Sequence, residues 1–153
     1  MFVIYKIITM EKSTMIRIST KGRYGTRLML NLALHYNNGP ILLKEIAKQE
    51  EISEGYLQHI VDALKGAGLI RSNRIGHGGY SLTREPTKIN LKEILSVLEG
   101  SIDLVECIEN PDVCKRSEEC ISRKTWMKIS REFSRILENI TLEDMINNKV
   151  KVH

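Results

Sequence analysis

With 153 residues, 42% of them hydrophobic, the chain has material for one compact domain and an appended element but not for two full domains. No uncharged apolar run approaches the ~20 residues of a membrane span, and no basic start leads into a small-residue cleavage site, so a cytoplasmic protein with no membrane partner is expected. The net charge is +4, and residues 15–100 carry 12 Lys and Arg against 8 Asp and Glu while residues 101–153 carry 9 against 10, which assigns phosphate contacts to the first half and another task to the second, unless the excess is ordinary solubilising charge.

Met1–Thr14 differs from the rest of the chain: Phe2, Val3, Ile4, Tyr5, Ile7 and Ile8 form a short apolar stretch with no turn signal and no matching pattern. We read residues 1–14 as an extension from a misassigned start, with translation expected to begin at Met15. From Thr20 to Tyr36, Tyr24, Leu28, Met29, Leu32, Ala33 and Tyr36 recur at three- and four-residue steps, which predicts a helix, ended by Asn37-Asn38-Gly39-Pro40. A second short helix runs from Leu42 or Leu43 to Glu51, with Ile46 and Ala47 inward. Ser53 offers the N-cap of a third, about Glu54 to Ala67, whose Leu57, Ile60, Val61 and Leu64 form one stripe. Gly66 and Gly68 stop it. Leu69–Arg74 and Gly79–Thr83 then read as two short strands around a glycine-rich tip.

Asn90 caps a fourth helix with Glu93 at the reciprocal position, carrying Leu91, Ile94, Leu95 and Leu98 inward and ending at Gly100. A cysteine-bearing loop comes next, from Ser101 to about Ser122. Trp126, Ile129, Phe133, Ile136, Leu137 and Ile140 mark a long helix with a nearly heptad stripe, and Thr141-Leu142-Glu143-Asp144 starts a short one. The expected organisation is therefore a DNA-binding unit over 15–100, a cysteine loop over 101–123, a dimerisation helix over 124–148 and a tail over 149–153.

Helix, short helix, tight connection, amphipathic helix and basic glycine-tipped hairpin is the order of a winged helix-turn-helix. The fold class is accordingly mainly α, with a small β-hairpin wing and a long C-terminal dimerisation helix. The third helix must offer base-reading side chains to the major groove of double-stranded DNA while its apolar stripe packs inward, and the hairpin must reach the neighbouring backbone or minor groove. Gln58 is the favoured base reader, since Gln can bond adenine through two hydrogen bonds. Ser53, Tyr56 and His59 suit phosphate or base, although Tyr56 also fits a core edge and His59 a solvated surface. Arg71 and Arg74 suit phosphates or a narrow minor groove. Gly76, Gly78 and Gly79 let the backbone approach DNA closely, with His77 beside them.

Cys107, Cys114 and Cys120 fall within fourteen residues, between the reading head and the long helix. Three thiolates leave one place of a four-ligand site open, which fits zinc or an iron–sulfur cluster with one different ligand. Three reduced thiols or a disulfide switch are the plainer readings, although cytosolic proteins rarely keep structural disulfides. No nucleophile–base set, phosphate loop or second cysteine group accompanies them, so an enzyme is not expected. A small electron carrier or enzyme subunit is the competing class.

Ile16-Arg17-Ile18-Ser19-Thr20-Lys21-Gly22-Arg23-Tyr24-Gly25 resembles the opening of the IscR/CymR/NsrR family of bacterial winged-helix regulators, the Rrf-two family. So do Ser53-Glu54-Gly55-Tyr56-Leu57, Leu64 to Leu69, Arg74 with Gly78-Gly79-Tyr80, and Ile140-Thr141-Leu142-Glu143-Asp144. The likeness runs from Met15 to about Asn148 and is nearest to the family's iron–sulfur regulators. It implies a homodimer joined through the long C-terminal helix and bound to a partly palindromic operator. Trp126, Ile129, Phe133, Ile136 and Ile140 agree, because a two-fold dimer would bury a stripe too long for so small a monomer; packing on the chain's own first helix is the alternative.

In family members that sense iron–sulfur status, three cysteines so placed bind a 2Fe-2S cluster. The resemblance therefore favours iron at Cys107, Cys114 and Cys120, with iron–sulfur assembly proteins as cluster donors. Two departures leave the fourth ligand unknown. The cluster-status regulators have a histidine where this chain has Arg123, and the nitric-oxide sensors use a carboxylate whose place corresponds to Arg23. Asp112, Glu118, Glu119, His35 or an external small ligand are the candidates. The family's cysteine-metabolism repressors lack these cysteines. The implied function is a repressor or dual regulator of iron–sulfur assembly genes, with nitric-oxide or redox-stress sensing and a zinc or thiol switch as the alternatives.

Overall fold

A computed structural model describes residues 17–76 and 78–150. The expectations for 1–14 and for His77 lie outside the described residues. Helix α1 spans Thr20–Leu34 and begins where Ser19 Oγ accepts the Gly22 N–H at 3.2 Å. It stops two residues earlier than its apolar spacing predicts, and the chain then turns through Asn37 and Gly39, both at positive φ. Helix α2 (Leu43–Glu50) is separated from α3 (Glu54–Gly66) by a tight turn in which Glu51 takes the left-handed conformation, φ 55°. Ser53 caps α3 as expected, accepting the Tyr56 N–H at 3.3 Å.

Strands β1 (Ile70–Asn73) and β2 (Gly79–Leu82) pair antiparallel, from Ile70 opposite Leu82 to Asn73 opposite Gly79. The far edge of β2 is also paired. Ile41 donates to Tyr80 O at 3.0 Å and accepts from Tyr80 N–H at 2.8 Å. The hairpin is thereby sewn to the segment that enters α2, a connection the sequence pattern does not announce. Backbone groups left unpaired in a buried seam are costly, and the two hydrogen bonds of this bridge satisfy four of them.

Helix α4 (Leu91–Glu99) starts at Asn90, whose Oδ1 accepts the Glu93 N–H at 2.9 Å. The reciprocal half of the expected capping box is not made, because the Glu93 carboxylate turns to Arg84 at 2.5 Å. After the short α5 (Glu106–Glu109) come a 3-10 turn at Pro111–Val113, the long α6 (Ile121–Glu138) and α7 (Leu142–Ile146). Thr141 and Asp144 form a complete capping box on α7.

One hydrophobic core unites these elements. Leu28, Met29 and Leu32 of α1 meet Ile46 of α2, Leu57, Ile60, Val61 and Leu64 of α3, Ile70 and Leu82 of the wing, and Ile94 and Leu98 of α4. Leu142 of α7 is fully buried in the same core. Its N–H donates to Ile89 O at 3.0 Å, while Leu91 N–H donates to Ile140 O at 2.8 Å. The chain after the cysteine loop therefore does not stand apart from the winged unit. α7 returns to pack on α1, and only α6 projects a separate face.

Candidate DNA interface and cysteine loop

Burial divides α3 as its spacing predicts, with Leu57, Ile60, Val61 and Leu64 inside and Glu54, Tyr56, His59, Asp62 and Lys65 outside the core. Three of the predicted contact residues have intramolecular duties. Gln58 donates through Nε2 to Asp62 Oδ1 at 2.9 Å. A two-bond contact with adenine uses that same amide N–H group, so base reading by Gln58 draws on the hydrogen-bond geometry Asp62 now holds. The Tyr56 ring stands edge-on to Tyr24 of α1, centroids 5.8 Å apart and planes at 85°. Arg23 and Arg27 lie 5.9 and 5.5 Å from the Tyr24 ring, which places two cations beside the reading helix. Ser53 spends its Oγ as the α3 cap acceptor, leaving its hydroxyl proton for DNA.

Position in the helix-turn-helix is fixed by a polar clamp between α1 and α2. Arg27 Nε pairs with Glu50 Oε2 at 3.0 Å, and its guanidinium also donates to Glu50 O. Asn31, 5% exposed, donates through Nδ2 to Gln49 Oε1 at 2.8 Å and Glu50 Oε1 at 3.0 Å. The sequence pattern marks none of these residues, because the polar ones look like solvated surface until the helices cross.

On the wing, Arg71 and Arg74 are exposed, and Ser81 Oγ accepts from both Arg71 Nε at 3.2 Å and Asn73 Nδ2 at 2.9 Å. Gly78 has φ 74° and makes only ordinary contact with its surroundings, which suits the expected close approach of backbone to DNA. Gly79 has a different reason. A Cβ there would lie 2.6 Å from Ile41 O and 2.7 Å from Ile41 C, so the close approach of the Ile41 backbone by itself requires glycine here.

Cys107 lies in α5, Cys114 ends the Pro111–Val113 turn and is exposed, and Cys120 is the N-cap residue of α6. Among the described residues, no three His, Cys, Asp or Glu side chains converge well enough to hold a metal ion. The loop in this conformation is therefore not a ready cradle for a cluster. Asp112, Glu118 and Glu119 are exposed along the loop. His35 sits instead at the end of α1, where its Nδ1 lies 2.8 Å from Asn31 O, in a cleft of about 210 Å³ shared with Arg71 and Tyr80 of the wing.

Arg123, which occupies the place of the resembled family's histidine ligand, acts as a brace. Its Nε donates to Cys107 O at 2.8 Å and its Nη1 reaches Ser117 O at 3.5 Å. Leu104 N–H donates to Ser130 Oγ at 3.2 Å, a second tie between loop and α6. The Cys120 thiol is held below its usual range, chiefly by the Ser122 hydroxyl 3.1 Å away and then by the Arg123 backbone N–H, with Arg116 adding positive potential and desolvation opposing. Thiolate at a cationic helix start is the reactive form of cysteine.

The exposed face of α6 carries Ile121, Trp126, Ile129 and Ile136, from 41% to 82% accessible in the single chain. Phe133 is half-buried beside them. No helix among the described residues is long and apolar enough to cross a membrane.

The family model described as "Rrf2: Iron-dependent Transcriptional regulator" matches residues 18–148. The chain is 42% identical over 129 residues to the HTH-type transcriptional regulator CymR of Bacillus subtilis, covering 84% of this chain and 88% of that one. It is 33% identical over 133 residues to the HTH-type transcriptional regulator IscR of Pectobacterium atrosepticum, covering 87% and 80%. Among solved structures, that of CymR, titled the global cysteine regulator of B. subtilis, superposes with a TM-score of 0.73 at 40% identity, covering 88% of this chain and 98% of that one.

Proposed function

The chain belongs to the Rrf2 family of transcriptional regulators, and from that membership we propose a repressor or dual regulator whose affinity for a partly palindromic operator is set by the state of Cys107, Cys114 and Cys120. It acts as a homodimer joined along α6. The observation that carries the reading is the placement of the cysteine loop. Arg123 and Ser130 tie the loop to α6, α6 packs on α4, and α4 packs on both α1 and the reading helix α3. A change at the thiols thus has a continuous path of packed elements to the DNA face, which a regulatory coupling between two sites requires.

The group we assign to the three thiols is a 2Fe-2S cluster delivered by iron–sulfur assembly proteins, so that cluster status governs iron–sulfur assembly genes. Three cysteines within fourteen residues, the iron-dependent description of the family and the likeness to IscR support it. The loop must close for the thiols to meet, and the fourth ligand is then drawn from Asp112, Glu118, Glu119, His35 or an external small ligand. Anaerobic purification followed by iron and sulfide analysis and a visible spectrum tests the assignment. Protein free of iron and sulfide, with no charge-transfer absorption, overturns it. Cys114→Ala is expected to abolish the cluster while leaving the fold intact.

A second reading, a thiol switch, is favoured by the depressed Cys120 thiol and by the lack of a ready metal-holding group among the described residues. Metal-free protein whose operator affinity falls on mild oxidation and returns with dithiothreitol would establish it. Low equivalents of nitric oxide acting on cluster-bearing protein distinguish cluster-status sensing from nitric-oxide sensing.

A further inference from the structure

The strand pairing of the wing ends at Asn73 and Gly79, so residues 74–76 and 78 lie at its tip. Within that tip Ile75 is 92% exposed, more than any other large hydrophobic residue described. The comparable residues Ile121, Trp126, Ile129 and Ile136 share one face of α6, where a second copy would cover them. Ile75 has no such company. Hairpin tips favour Gly, Asn and Asp because those residues accept turn conformations and water. A β-branched apolar side chain there opposes both preferences.

We propose that Ile75 is a wedge that enters the DNA minor groove and partly unstacks one base step, a role that rests on the wing lying against the duplex. Three features of the tip fit a groove about 6 Å wide. Arg74, exposed and adjacent, supplies the cation that a narrow groove attracts. Gly76 comes next with φ 72° and nothing within 4 Å of where a Cβ would stand, so the tip behind the isoleucine is thin. The bridge between Ile41 and Tyr80 braces β2 one residue behind the end of the strand pairing, just behind the tip, which lets an inserted side chain bear on the stack without the wing folding away. Isoleucine is among the side chains that act as such wedges, and pyrimidine–purine steps such as TA and CA yield most easily. Ile75 then contributes specificity through deformability and not through hydrogen bonds.

The probe is a duplex selected by the full-length wild-type protein from a random library, carrying 2-aminopurine at successive positions flanking the reading-helix footprint. Wild-type protein is expected to raise fluorescence at one step under each wing and to bend the duplex in an end-to-end energy-transfer assay. Ile75→Ser should abolish both signals and weaken the selected duplex by roughly tenfold, the scale of one lost base-pair preference. Its affinity for scrambled duplex and its salt slope should stay unchanged, because no phosphate contact is lost. Ile75→Leu should restore bending, and Arg74→Ala should instead flatten the salt slope. Bending and fluorescence preserved in Ile75→Ser, or equal weakening on selected and scrambled duplex, overturn the wedge while leaving DNA binding standing. Failure of wild-type protein to retain any duplex overturns both. The side chain is almost wholly solvated, so these variants fold.

Discussion

Gly79→Ala is the substitution for which the fold makes the sharpest demand. The added methyl would stand 2.6 Å from Ile41 O, 2.7 Å from Ile41 C and 3.1 Å from Ile41 N, all backbone atoms that no rotamer change can clear. The residue also sits at φ 114°, a conformation that costs a side-chain-bearing residue on the order of 1–3 kcal/mol. Relief requires the Ile41 strand to move, which gives up two hydrogen bonds to Tyr80 at about 1 kcal/mol each. The total is about 3–5 kcal/mol, a large share of the ~5–15 kcal/mol that stabilises a typical domain. The expected fall in Tm is ~6–20 °C at about 2–4 °C per kcal/mol for a chain of this size. Thermal melts give the fall in Tm and urea titration the loss of free energy, both followed by far-ultraviolet circular dichroism at fixed protein concentration. Gly76→Ala is the internal control, since its site has positive φ but open space, and it should cost only about 1–2 kcal/mol. Equal midpoints for the two variants would refute the argument that the Ile41 approach, and not general wing flexibility, dictates glycine at 79.

Glu51→Gly should stabilise the protein by about 1 kcal/mol, because Glu51 holds a left-handed conformation at φ 55° that glycine adopts without steric cost; a lower urea midpoint would contradict this. Cys120 should alkylate with iodoacetamide at lower pH than a free cysteine thiol in solution. Its folded-state pKa is depressed, so thiolate accumulates below the ordinary thiol range, and Ser122→Ala should move that reactivity toward higher pH. Mass-resolved alkylation across pH reads both, and indistinguishable pH profiles for Cys120 in the two proteins would count against the hydrogen bond as cause. Gln58→Ala should relax preference at one base step by ~1–3 kcal/mol. Asp62→Ala, which frees the Gln58 amide, should leave that preference in place, as competitive binding to point-substituted duplexes will show.

The helical stripes were legible because burial at three- and four-residue steps is a property of each segment alone. Leu57, Ile60, Val61 and Leu64 could be assigned to the core before any neighbour was known, and Ser53 and Asn90 announced their helices through side chains that bond only three residues ahead. What stayed hidden depends on elements distant in sequence. Ile41 pairs with Tyr80 far along the chain, Asn31 and Arg27 meet Glu50 only when α1 crosses α2, and Leu142 returns to a core begun at Leu28. Capping failed in an instructive way at Glu93, where Arg84 offers a charged partner and wins the carboxylate from the Asn90 backbone.

The cysteines show the same limit in chemical form. Their spacing establishes that three thiols share one loop, but ligand geometry is a matter of where α5, the Pro111–Val113 turn and the start of α6 place them. Among the described residues those elements do not gather three ligands into a metal-holding group, while Arg123 binds backbone carbonyls instead of standing by as a ligand. Under the proposed cluster, gathering the thiols would have to break or carry along the bond from Arg123 to Cys107 O. On the regulation proposed above, that bond is the route by which chemistry at the loop would reach α6, and through α4 the helix that reads DNA.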